Sequence, residues 1–145
     1  MNQELEGKEE GHRENMGINM VKMFFGAFLF ESADFMGRAS TSMLYRAGEV
    51  VGEAYAHLSP EELVDAFDEM EMTLVIQSSS IQWIFVVDNS IENGICGRGF
   101  EPCCHMLRGF FSVYTRAKTR NTGLRCVETE CVSSGSDFCR FIVSP

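Results

Sequence analysis

The stretch Cys126-Val-Glu-Thr-Glu-Cys131-Val-Ser-Ser-Gly-Ser-Asp-Phe-Cys139-Arg-Phe-Ile-Val143 decides how this chain is read. Two strand-like segments flank a Ser-Ser-Gly-Ser-Asp turn, which is the pattern of a β-hairpin. Its thiols and carboxylates gather where the strands approach the turn. Upstream, Cys103-Cys104 opens an apolar, helix-like segment and offers another thiolate. Thiolates with a carboxylate beside a tight turn suit a divalent cation, zinc above all, because Zn²⁺ accepts sulfur and oxygen donors in a tetrahedron. Simple burial is the competing reading, since free cysteine behaves as a small core residue.

Working outward from the hairpin, Glu101-Pro102 predicts the start of a helix with Cys104, Leu107, Phe111 and Tyr114 along one face. Arg116, Lys118 and Arg120 lie near its end, where they suit the negative pole, and Asn121-Thr122-Gly123 breaks it. Residues 90–100 read as a loop. Its Gly97-Arg98-Gly99 lacks the lysine and the spacing of a phosphate-binding loop. Met72 to Gln77 and Ile81 to Val87 are β-branched and aromatic and are separated by Ser78-Ser79-Ser80, which predicts two antiparallel strands. The second contains the only Trp, Trp83, and is apolar almost throughout, so cover on both faces is expected.

Ser59-Pro60-Glu61-Glu62 combines an N-cap, proline at the first helical position and a capping-box glutamate. A short helix to about residue 70 follows, with Leu63, Val64, Phe67 and Met70 facing inward. Before it, Asp34 is a good N-cap for a long helix running to Leu58. Met36, Ser40, Met43, Leu44, Ala47, Val50, Val51, Ala54, Tyr55 and Leu58 form its expected buried stripe at spacings of three and four. Gly37, Gly48 and Gly52 interrupt this helix, each at up to ~1 kcal/mol relative to Ala, so another backbone, a second copy or a ligand is expected to come close there. Residues 17–30 read as a buried helix with Met20, Phe24, Ala27 and Phe28 on one face. Residues 1–16 are charged and aperiodic, and a flexible tail is expected, leaving one domain over 17–145.

A net charge of −9 speaks against a nucleic-acid surface. The longest apolar run, Met23 to Phe30, falls far short of the roughly 20 residues a bilayer-spanning helix needs. The Glu-rich N-terminus lacks the order of a secretion signal, so a cytoplasmic location is expected. Six cysteines there should be reduced, which favours metal binding or burial over a disulfide framework.

Cys104-His-Met-Leu-Arg-Gly-Phe-Phe111, Glu128-Thr-Glu-Cys131 and Gly135-Ser-Asp-Phe-Cys139-Arg-Phe141 together resemble the signature of the 4-vinyl-reductase-like domain family, described as hydrocarbon-binding. Tyr45-Arg-Ala-Gly48 followed by Gly52 resembles that family's first helix block. The resemblance implies an α+β domain of the TRAPP/NO-signalling-like ligand-binding type, an antiparallel sheet packed against helices with an apolar pocket between them. It also implies a homodimer through the N-terminal helices. In the related phenol sensors a structural zinc is held by three Cys and one Glu, and the matching positions here are Cys104, Glu128, Cys131 and Cys139. Cys103, His105 and Cys126 are reserve ligands. Glu128 and Cys131 face opposite sides of a regular strand, so joint binding requires a bend or bulge near Thr129 and Glu130.

The resulting expectation is a binding or sensor module for a small hydrophobic molecule, with Phe24, Phe28, Met43, Trp83, Phe85, Phe110 and Tyr114 as pocket-lining candidates. An assembly module resembling TRAPP subunits is the alternative. A tetrapyrrole vinyl reductase, which the family name implies, finds no support in a nucleotide fingerprint or a Ser-His-Asp set, and His57 and His105 stand alone.

Overall fold

A computed structural model describes residues 27–28, 38–93 and 101–145. The expected tail over 1–16, Phe24, the Asp34 cap and most of the helix over 17–30 lie outside the described residues. Among the described residues three helices of ten residues or more and one four-stranded antiparallel sheet follow in the order α1 (Arg38–Tyr55), α2 (Pro60–Glu69), β1 (Thr73–Ser78), β2 (Trp83–Asp88), α3 (His105–Thr119), β3 (Arg125–Glu130) and β4 (Cys139–Ser144). The strands lie side by side as β1-β2-β4-β3, all neighbours antiparallel. The mixed α+β architecture implied by the resemblance is therefore present.

Local chemistry accounts for the element ends. Ser59 Oγ accepts from Glu62 N at 3.1 Å while the Glu62 carboxylate accepts from Ser59 N at 2.8 Å, a complete capping box at α2. Between β1 and β2, Ser79 Oγ accepts from the amides of Ile81 and Gln82 and closes the hairpin. Helix α3 begins later than Glu101-Pro102 suggests, with Cys104 at its N-cap, and it ends at Arg120 in the left-handed conformation with φ 55°.

The sheet's alternation selects its inner face. Leu74, Phe85, Val87, Cys139, Phe141, Val143, Cys126 and Glu128 are all buried on that face, and Thr73, Val75, Arg125 and Val127 on the other side are exposed. Strand β2 is covered fully on one face only: Phe85 and Val87 are buried, and Trp83, Ile84 and Val86 are half-buried. Helix α3 lies on the inner face. Phe111 stacks on Phe85 with ring centroids 4.2 Å apart and tilts against Phe141 at 5.1 Å, while Tyr114 is fully buried and donates to Leu58 O at 3.0 Å. Each such ring contributes about 1.5–3 kcal/mol through burial.

On its far side α3 meets α1, and the contact differs from the stripe expected of α1. Met43, Val50, Val51 and Tyr55 are 38–59% exposed, whereas Ser40, Leu44, Gly48 and Gly52 are buried. The reason is steric. A Cβ on Gly48 would run into the Met106 carbonyl, one on Gly52 would stand 2.7 Å from Phe110 O, and one on Gly109 would strike the Tyr45 carbonyl. Small residues at spacings of four let the two backbones touch, and the larger apolar side chains of α1 are left outside that contact.

Candidate metal centre and cavity

Three elements converge at one end of the sheet. Cys104 caps α3, Glu128 lies on β3, Cys131 follows β3, and Cys139 opens β4. Strand β3 would send Cys131 to the outer face if it stayed regular. Its pairing instead slips between Glu128, opposite Phe141, and Glu130, opposite Arg140, so Thr129 is an extra residue. This is the bend that joint binding requires, and it brings Glu128 and Cys131 to the same inner side. Val132–Ser134 then make a single 3-10 turn, and Gly135 reverses the chain at φ 102°.

One ligand atom from each of Cys104, Glu128, Cys131 and Cys139 lies within 4.8 Å of the others, and all four residues are buried. Cys104 Sγ to Cys139 Sγ is 3.7 Å and Cys139 Sγ to Cys131 Sγ is 3.8 Å. A tetrahedron with Zn–S bonds of about 2.3 Å has an edge of about 3.8 Å, so the sulfurs already have the separation such an ion needs. Glu128 Oε2 accepts from Cys104 N at 3.0 Å, while its buried Oε1 has no hydrogen-bond partner. A buried carboxylate oxygen without a partner is costly, and a cation would satisfy it. By separation, donor chemistry and the unpaired oxygen, these residues fit a divalent metal ion.

The thiols are electrostatically unequal. Cys139 is drawn down to about 7, first by the hydrogen bond from Cys104, against the effect of burial, with further help from the Val132 amide and Asn93. Cys104 is pushed up, first by giving that hydrogen bond and then by burial. Burial also raises Cys131, although Ser133 Oγ at 3.0 Å opposes it. One thiol is thus poised as a thiolate, and a cation would draw the others into the same form.

The reserve ligands stand apart from this set. Cys126 shares the inner face of β3, but burial raises its thiol to about 12. His105 is half-buried, with Nδ1 3.4 Å from Arg108 Nη1, and burial and that guanidinium lower its basicity. Cys103 Sγ lies 3.9 Å from Cys131 Sγ, but Cys103 is disulfide-bonded, contrary to the expectation of reduced cysteines throughout.

Next to the centre is a cavity of about 270 Å³ between α1, α2 and the first turns of α3. Its wall is almost entirely apolar, with Val51, Leu63, Phe67, Met72, Met106 and Phe110 prominent. Among the seven lining candidates, Phe110 is in this wall. Phe85 and Tyr114 are instead core residues, and Trp83 packs beside both at centroid distances of 6.1 and 6.3 Å. Met43 and Phe28 are 38% and 58% exposed. The larger rings are recruited to the sheet interface, and the cavity falls where the glycine contact ends and α2 crosses.

Two residues that the sequence reading passed over bind this region together. Glu92 is buried in the cavity wall and accepts from Met106 N at 2.8 Å and Leu107 N at 3.0 Å, closing the N-terminal turn of α3. Burial raises its carboxyl to about 7. Asn93 reaches the three sulfurs. Both follow the end of a strand, where polar residues are ordinary, and no periodicity distinguishes them.

Comparison with known proteins agrees with the geometry. No curated protein matches the chain significantly in sequence. The phenol-responsive sensory domain of the transcription activator PoxR, solved with phenol, is similar in structure with a TM-score of 0.70 at 21% identity, over 86% of this chain and 74% of that one. A vinyl-4-reductase family protein from Methanocaldococcus jannaschii has a TM-score of 0.63 at 22% identity, over 83% and 76%. A trafficking protein particle complex subunit 3 from Naegleria fowleri, covalently bound to palmitic acid, has a TM-score of 0.65 at 12% identity, over 90% and 95%. At these identities the three show a shared fold. Residues 83–145, which hold the whole Cys104, Glu128, Cys131 and Cys139 cluster, match the 4-vinyl-reductase domain family, and this part of the chain is sequence of that domain.

Proposed function

We propose that the chain is a sensor or binding module for a small hydrophobic molecule, stabilised by a structural zinc ion and formed as a single domain over residues 17–145. The observation that carries this reading is the apolar cavity beside a buried Cys₃Glu cluster, with both built on the first turns of α3. Ligand binding would proceed by burial of apolar surface at roughly 25 cal/mol per Å² with few polar contacts. Bound with four protein donors, zinc supplies a cross-link rather than an open position for water, which directs the reading away from hydrolysis. Cys104, Glu128, Cys131 and Cys139 would hold the ion, tying α3 to β3 and β4. The phenol bound by PoxR and the palmitic acid on the trafficking subunit support a hydrophobic ligand by analogy of fold.

A second reading, assembly through α1, rests on a different observation. Met43, Val50, Val51 and Tyr55 leave an apolar surface on α1 that a second copy would cover. Homodimerisation and ligand binding are compatible. Among the described residues no helix is long and apolar enough to cross a membrane. The free thiols at Cys104, Cys131 and Cys139 suit a reducing, cytoplasmic setting.

Native mass spectrometry of purified protein, compared with the denatured chain mass, tests the whole reading. One zinc-sized increment per chain and a retained apolar molecule are expected. Protein that neither carries nor takes up a divalent ion, and that leaves the fluorescence of N-phenyl-1-naphthylamine unchanged, would overturn it.

A further inference from the structure

Asn93 has no place in the Cys₃Glu set, yet its side chain lies against all three thiols. Its Oδ1 is 3.4 Å from Cys104 Sγ, 3.7 Å from Cys131 Sγ and 3.3 Å from Cys139 Sγ, and its Nδ2 is 3.2 Å from Cys139 Sγ. Bonds of about 2.3 Å to sulfur and about 2.0–2.2 Å to oxygen in a tetrahedron put the oxygen about 3.5 Å from each sulfur. A side-chain oxygen spaced in this way from three sulfurs has the position of a fourth donor. A hydrogen-bonding neighbour needs to approach only one of them.

We propose that Asn93 is a ligand of the metal centre through Oδ1, sharing the oxygen side of the site with Glu128. The inference rests on the metal reading above and extends the donor set from four to five. Its charge balance is favourable. Three thiolates and one carboxylate already outweigh a divalent cation, so a further anionic donor would bury more uncompensated charge, whereas an amide oxygen adds none. Zinc accommodates a fifth donor, and amide oxygens are ordinary ligands of divalent ions. The position of Asn93 also has a structural consequence. Its neighbour Glu92 caps α3 through Met106 N and Leu107 N and lines the cavity, so a metal that fixes Asn93 also fixes the cavity wall beside it.

The test uses the full chain with metal alone as the probe. Zn²⁺ affinity is measured by competition with a chromogenic chelator, and the visible spectrum of the Co²⁺-loaded protein reports the donor set. Asn93→Ala should weaken Zn²⁺ binding at least tenfold and shift the Co²⁺ bands. Asn93→Asp, which restores an oxygen at the same reach, should recover most of the affinity and keep a spectrum close to the wild type. Wild-type spectrum and affinity within twofold in Asn93→Ala would overturn the ligand assignment and leave the Cys₃Glu centre standing. Loss of affinity without any spectral change would also overturn it, because the amide would then act only by hydrogen bonding to sulfur. No metal uptake by the wild-type chain would overturn the inference together with the metal reading. Circular dichroism confirms that both variants fold, and the Asp variant still decides the assignment if the Ala variant does not.

Discussion

Replacing Gly48 with Ala tests the contact on which the helical layer depends. The new Cβ would stand 2.7 and 2.9 Å from Met106 C and Cα, and closer still to the Met106 carbonyl oxygen. Carbon contacts are comfortable at about 3.5–4.0 Å, so α1 and α3 must move apart by roughly 1 Å. The obstacle is backbone on both helices and cannot rotate away as a side chain would. Overpacking of this kind costs about 1–3 kcal/mol, with the upper end expected here, and the better helix propensity of Ala offsets up to ~1 kcal/mol. A net loss of about 2 kcal/mol corresponds to a fall in Tm of roughly 8 °C for a chain of this length. Thermal unfolding followed by circular dichroism measures it, with Val50→Ala as the control, because Val50 is 59% exposed and its truncation should stay within about 0.5 kcal/mol. Gly48 and Met106 also line the cavity, so the same variant should bind N-phenyl-1-naphthylamine more weakly. A Gly48→Ala protein that melts at or above the wild-type temperature would refute the close crossing.

The same geometry fixes three further outcomes. Cys131→Ser should lose its metal and several kcal/mol of stability, read by metal analysis and melting, and unchanged values in both would rule out the centre as described. Chelating the metal should weaken N-phenyl-1-naphthylamine binding by about fivefold or more, with the reciprocal effect of the probe on metal affinity, whereas equal affinity with and without metal would separate the two sites. Val50→Asp combined with Val51→Asp should turn a dimer into a monomer on size-exclusion chromatography, and a dimer that persists would remove α1 as its interface.

What could be read from the sequence was what local chemistry determines. The start of α2 is legible because Ser59, Pro60 and Glu62 satisfy its first amides from within four residues. The β1–β2 hairpin is legible because its alternation is short and its turn is made of serines. The buried face of α1 was not, because hydropathy ranks Met43, Val50 and Val51 above Gly48 and Gly52, whereas packing against α3 rewards small size. The glycines did announce a close approach. Nothing in the sequence named Met106 and Phe110 as what approaches. The cavity was equally hidden, since Gly48, Leu63, Met72, Glu92 and Phe110 come together only after α1, α2 and α3 have packed.

The metal centre shows how a conflict in a pattern can be more informative than agreement. A spacing of three between Glu128 and Cys131 defeats the two-residue period of a strand, so a regular β3 would separate the two side chains by the thickness of the sheet. One extra residue at Thr129 removes the conflict, and the register slip lies between Glu128 and Glu130, as that reasoning requires. Cys139 needs no such device, because it shares the inner face with Val87 and Phe141 by plain alternation. The same argument has no hold on Asn93, which reaches the sulfurs from a turn with no period to violate. Deleting Thr129 therefore discriminates between the two kinds of donor: it should turn Cys131 outward and abolish metal binding, while Asn93, Cys104 and Cys139 keep their places. Metal analysis of the folded deletion variant measures this, and a full zinc complement there would refute the role given to the bulge.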